Sequence, residues 1–184
     1  MQRTLVLTLL GPDRPGLVDA VARVAAAHGA NWVDSHMARL AGRFAGILRL
    51  DVAAERAPAL REALVALRAR GLHLVVEEAD AEPAPEPGRR MVLELVGHDR
   101  TGIVHEVAAA LACRGINVLS LQTTCRMAPM TGVPMFHAEA VLWVPERTPL
   151  EELRQTLAAL ADTLHLDHTL IEDATDAPGT STAS

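Results

Sequence analysis

Leu9-Leu10-Gly11-Pro12-Asp13-Arg14-Pro15-Gly16-Leu17-Val18 is answered 86 residues later by Leu95-Val96-Gly97-His98-Asp99-Arg100-Thr101-Gly102-Ile103-Val104. Both copies carry G-x-D-R-x-G. Self-similarity at a fixed spacing marks a repeated structural unit, and it has to be recognised before any local motif is weighed. The same spacing pairs Gly29 with Gly115 and Asn31 with Asn117, whereas residues 44–52 align with residues 136–144 only after six extra residues are allowed around positions 128–134. That insertion falls between two strand-like segments.

Within each copy the hydrophobic period changes in the same order. Residues 4–10 and 91–96 are short apolar runs of strand length, each ending at a glycine. Leu17, Val21, Val24 and His28, like Ile103, Val107, Ala110 and Arg114, recur at helical spacing, and Gly29 or Gly115 closes each helix. Residues 31–40 and 117–127 follow as second strands, and residues 44–52 and 135–144 as their hairpin partners. A second helix comes next, marked by Leu60, Leu64 and Leu67 in the first copy and by Leu150, Leu153, Leu157, Leu160 and Leu164 in the second. Pro58 and Pro149 suit its first turn, where no amide donor is lost. Residues 72–78 and 165–172 read as fourth strands.

The order βαββαβ, twice, predicts an α+β chain of two ferredoxin-like modules, each an antiparallel four-stranded sheet with two helices on one face. The expected strand order, 4-1-3-2, leaves the second strand at an edge, free to pair with its counterpart in the other copy or in another chain. The first module spans residues 1–79 and the second 90–173. Residues 80–89 form a Pro-rich, semi-rigid linker, and residues 174–184, rich in Ala, Thr, Ser and Asp, a disordered tail. Modules of about 80 residues are near the lower limit for a self-sufficient core, so association into a homo-oligomer is expected.

Composition narrows the functional classes. The 184 residues carry 17 Arg, no Lys and 23 acidic residues, for a net charge of −6 and a pI near 5.7. Clustered positive charge of the kind that nucleic-acid binding requires is missing, so any action on DNA is expected to be indirect. No uncharged stretch approaches the roughly 20 residues that span a bilayer, and no signal-peptide pattern follows residues 4–10; a soluble, cytoplasmic protein is expected. No Walker A, G-x-S-x-G or G-x-G-x-x-G is present, which argues against an enzyme. His165 and His168 lie on opposite faces of one predicted strand, and no Cys-x-x-Cys or His-Glu-x-x-His occurs, so no metal site is expected. Cys113 reads as a small core residue, and nothing marks Cys125 as an activated thiol.

The repeated turn is the candidate binding element. A helix N-terminus exposes amide donors and a partial positive charge, which suits a carboxylate or phosphate. Gly16 and Gly102 allow close backbone approach, while Asp13 and Asp99 can accept hydrogen bonds from an ammonium group. One end takes the acid and the other the amine, which selects for an α-amino acid. Asn31 and Asn117 offer both donor and acceptor. Arg14 and Arg100 oppose the dipole at the helix start and call for a partner, an effector carboxylate or a surface ion pair. The structural alternative is that Asp13 and Asp99 are simply N-caps, with Pro15 suited to the first turn. His98 beside Asp99 is a candidate pH-sensitive group or a solvent-exposed turn histidine. Met127, Met130 and Met135, with two prolines, form either an adaptable docking loop or a plain hairpin tip.

G-x-D-R-x-G followed by an aliphatic pair, a helix closed by glycine, then x-Asn and an apolar strand, resembles the ACT domain, a small-molecule-binding regulatory module of amino-acid metabolism. Two copies without a catalytic domain, with the insertion at residues 127–136, resemble the glycine cleavage system transcriptional repressor family over residues 3–173. The resemblance implies side-by-side pairing of modules and a small amino-acid ligand, glycine or another, held between one module's first turn and the next module's second strand. It places ligand positions on Gly11, Asp13, Gly16 and Asn31, and on Gly97, Asp99, Gly102 and Asn117; Arg14, Leu17, His98, Arg100 and Ile103 adjoin them in the same turns. It also implies regulation of glycine or amino-acid metabolism genes through a protein partner such as a transcriptional activator. The competing expectation is a ligand-independent adaptor or the regulatory subunit of a metabolic enzyme. Pro12 against His98 and Trp32 against Val118 make the two copies unequal.

Overall fold

The computed structural model describes residues 1–79, 86–128 and 132–173. Residues 80–85 of the expected linker, Met130 of the methionine loop and the tail 174–184 lie outside them. The chain divides into two units, Met1–Pro83 and Ala84–Ser184.

The first unit runs β1 (Gln2–Pro12), α1 (Leu17–Ala27), β2 (Asn31–Leu40), β3 (Arg43–Ala53), α2 (Ala57–Ala66), a short 3-10 turn (Leu67–Arg70) and β4 (His73–Ala79). The second runs β5 (Gly88–His98), α3 (Ile103–Ala112), β6 (Asn117–Met127), β7 (Pro134–Pro145), α4 (Leu150–Leu164) and β8 (Leu166–Glu172). The sheets are ordered β2-β3-β1-β4 and β6-β7-β5-β8, with antiparallel pairing throughout. These are two ferredoxin-like modules, and β2 and β6 stand at sheet edges as the topology requires.

Strand alternation builds each core. Leu5, Leu7 and Leu9 of β1, with Leu48, Leu50 and Val52 of β3, point to the face where Leu17, Val21, Leu60 and Leu64 of the two helices are buried. Met91, Leu93, Leu95, Leu142 and Val144 do the same in the second unit, against Ile103, Val107, Leu153 and Leu157. The helices therefore cover one face of each sheet and leave the other open to solvent.

Each first helix ends in a Schellman turn. Gly29 has φ +67°, its N–H donates to Ala26, and Ala30 donates to Ala25; Gly115, also at φ +67°, and Ile116 repeat this with Ala112 and Leu111. Each edge strand also carries a bulge at the same relative position, Val33 in β2 and Leu119 in β6. The β2–β3 hairpin turns through Ala41 and Gly42, both at positive φ, as a two-residue loop demands. The six-residue insertion lies at the matching β6–β7 turn.

Several boundaries differ from the sequence reading. β1 and β5 run through their glycines to Pro12 and His98, because Gly11 and Gly97 still pair with Phe44 and Phe136. Pro149 is the N-cap of α4 and lies outside its first turn. His165 is the left-handed C-cap of α4 at φ +55° and lies outside β8, so the opposite-faces argument does not apply to it. Cys113 is exposed. It follows Leu111 by two residues, about 200° round the helix from the buried stripe of Val107 and Leu111.

Candidate functional site

In both modules a strand ends, the chain crosses four residues, and a helix opens on a left-handed glycine, the last of the four. Gly16 has φ +88° and Gly102 φ +102°; each is the N-cap, and no side chain caps either helix. Asp13 and Asp99 are therefore not N-caps. The glycine carbonyls accept from Ala20 and Glu106, three residues into each helix beyond its first. The amides of Leu17, Val18 and Asp19, and of Ile103, Val104 and His105, have no acceptor within their helices, as helix geometry dictates. Leu17 and Ile103 bury their side chains in the cores and contribute backbone only.

Two backbone clasps hold the turns in place. Asp13 N–H donates to Gly42 O and Asp99 N–H to Pro134 O, each at 3.0 Å, tying the turn to the neighbouring hairpin loop. The first glycines are needed for packing. A methyl group on Gly11 would meet Leu72 Cδ2 at 3.0 Å, and one on Gly97 would meet Leu166 Cδ2 at 2.5 Å and His165 O at 2.7 Å.

The carboxylates have different surroundings. Asp13 forms an ion pair with the Nε of Arg39 on β2. Arg39 stands opposite Phe44, and the residue at the matching register position of β6, opposite Phe136, is Cys125. Asp99 thus faces a thiol where Asp13 faces a guanidinium. Loss of water around the sulfur raises the Cys125 pKa above the ordinary thiol value, and the hydrogen bond to Asp99 and its negative charge push the same way. Cys125 is a protonated neighbour at neutral pH.

The arginines also separate. Arg14 donates to the carbonyl oxygen of Arg70, at the end of the 3-10 turn, whereas Arg100 pairs with Glu106 in the first turn of α3 at 3.3 Å. His98 ends β5, exposed, opposite Met135. Asn31 and Asn117 are exposed at the other end of the sheet. Asn31 lies in the row of Asp51 and Thr4, seven residues along β1 from Gly11, or roughly 23 Å at 3.3 Å per residue. One module gathers the turn residues but not its own asparagine. The partners of the two aspartates, Arg39 and Cys125, escaped the sequence reading; their only signal was equal spacing from the repeated turns.

Among the described residues no three His, Cys, Asp or Glu side chains are placed to hold a metal ion, and no helix is long and apolar enough to cross a membrane.

Residues 3–77 match the family model of the ACT domain. The chain is 25% identical over 166 residues to the glycine cleavage system transcriptional repressor of Escherichia coli K12, spanning 89% of this chain and 87% of that protein, and equally so to that of Shigella flexneri. An unknown protein from Galdieria sulphuraria shares its fold at a TM-score of 0.79 with 27% identity, over 94% of this chain and 99% of that one. A structure provisionally assigned as a glycine cleavage system transcriptional repressor has a TM-score of 0.71 over 94% and 98% of the two chains; its 20% identity speaks to the fold alone. The first module matches the ACT family model, the second repeats its topology, glycine turn and hairpin clasp, and over most of its length the chain is similar to the glycine cleavage system transcriptional repressors.

Proposed function

We propose that this protein is a non-catalytic sensor that binds a small α-amino acid at its strand-to-helix turns and relays occupancy to a protein partner. What carries the reading is the repeated turn, in which an aspartate that does not cap the helix comes three residues before the glycine that opens it. A ligand carboxylate suits the amides and its ammonium suits the carboxylate. The regulatory output, carried over from the relatives, is transcription of glycine or amino-acid metabolism genes through a transcriptional activator, with no direct contact to nucleic acid. The exposed edge strands β2 and β6 suit homo-oligomerisation by strand pairing with another chain. Binding shifts the partner-competent population only as far as the ligand prefers that state.

The Asp13–Arg39 ion pair favours the adaptor alternative at the first module, because the carboxylate there already has its cation. Thermal unfolding of the full chain against each of the twenty amino acids separates the readings. A sensor shows a selective rise in apparent stability that Asp99→Ala removes, since a ligand bound only to the folded state must raise the transition. No shift with any amino acid, in folded protein, makes the protein a ligand-independent adaptor or enzyme subunit.

A further inference from the structure

Beneath α3, on the helix-covered face of the second sheet, an apolar groove opens toward the edge strand β6. It offers about 40 Å³ to the centre of a water-sized sphere, and its lining is apolar throughout. Ile103 and Phe136 form its buried wall, and Val104, Val118 and Leu121, which are 44, 37 and 48% exposed, form its mouth. Its upper end adjoins the candidate turn: Ile103 directly follows Gly102, and Phe136 lies opposite both Gly97 and Cys125, the neighbour of Asp99.

The first module fills the same space with its own side chains. The register position of Val118, opposite Leu142, corresponds to Trp32, opposite Leu50; that of Thr123, opposite Ala138, corresponds to Met37, opposite Gly46. Trp32, Met37 and Phe44 pack against the first core. In the first module the apolar space is filled and the carboxylate is paired with a cation, whereas in the second the groove stays open and the carboxylate has a neutral thiol for its neighbour.

We infer that the second module is the effector site of this chain, and that it takes an α-amino acid with an aliphatic side chain. The ammonium group faces Asp99, the carboxylate faces the α3 amides, and the side chain fills the groove between Val104, Val118 and Leu121. Charge complementarity at one end and an unfilled apolar wall at the other select this ligand over a bare anion or a free hydrocarbon. The inference rests on the amino-acid reading above and adds the module and the ligand class.

The test is titration calorimetry of the full chain with glycine, alanine, valine and leucine. Each buried methylene is expected to tighten Kd by about fourfold. Val118→Trp, which installs the first module's residue, flattens the series so that leucine falls to the level of glycine. Leu121→Ser, at a half-exposed position where folding is not at stake, weakens leucine several-fold relative to glycine. Glycine binding as tightly as leucine overturns the groove assignment and leaves the sensor reading standing. Leucine binding that neither variant alters puts the site elsewhere and overturns the inference as well. Absence of binding by all four, together with no thermal shift by any of the twenty, overturns both.

Discussion

A methyl group at Gly97 would come within 2.5 Å of Leu166 Cδ2 and 2.7 Å of the His165 backbone oxygen, whereas at Gly11 the nearest atom is the end of a leucine side chain at 3.0 Å. Backbone cannot withdraw as a side chain can. Gly97→Ala is therefore expected to destabilise the second unit by about 1–3 kcal/mol, and Gly11→Ala the first by clearly less, as read by urea unfolding. Arg39 is largely exposed, so Arg39→Ala should change stability by less than about 1 kcal/mol while leaving Asp13 without its cation. At Cys125 the thiol is raised, so alkylation by iodoacetamide should follow a pH profile displaced upward from an ordinary cysteine. Asp99→Asn removes the negative charge that opposes the thiolate and should move that profile part of the way down, since the loss of water around the sulfur remains. A profile unmoved by Asp99→Asn would separate the two groups.

Among the elements, α1 and α3 show how a helix in this fold is set at both ends by glycine. Gly16 and Gly102 open them in the left-handed region, and Gly29 and Gly115 close them there. Space around Gly115 is limited only by the guanidinium of Arg147 at 3.3 Å, the mobile end of a long side chain. Gly115→Ala should thus report the backbone conformation alone, a loss of about 1–2 kcal/mol in chemical denaturation. The edge strands differ more than the helices. β6 is exposed at every position, while β2 turns Trp32 and Met37 onto the core. The same topology therefore gives one strand whose helix-side residues fill its own module and one whose residues leave a groove.

At the scale of the molecule, each unit has its own contiguous core, one running from Leu5 to Val76 and the other from Met91 to Leu170. Leu60 is fully buried in the first and Leu153 nearly so in the second. Leu60→Ala and Leu153→Ala should each cost about 2–5 kcal/mol, seen as loss of amide protection in β1 and β3 or in β5 and β7 respectively. A substitution that stripped protection equally from both sheets would mean that the two cores unfold as one. Separate cores also let one module diverge in sequence without harming the other.

Much of this architecture was legible in the chain itself. The repeat, the alternation between periods of two and 3.6, and the closing glycines determined two βαββαβ modules, their edge strands and the position of the hairpin insertion, because each of these depends on neighbours within one element. The repeated turn was legible for the same reason. Which atoms surround it was not. Arg39 reaches Asp13, and Cys125 lies beside Asp99, across a bulged edge strand 26 residues away, and a one-residue change of register would have turned either side chain to the other face. Cys113 was misplaced because an alanine-rich helix gives little contrast between its faces, and only packing against the sheet settles which one is buried. The groove under α3 has no sequence signature of its own: Val118 lines it at the register position that Trp32 occupies in the first module, a difference of volume that only the tertiary structure turns into space.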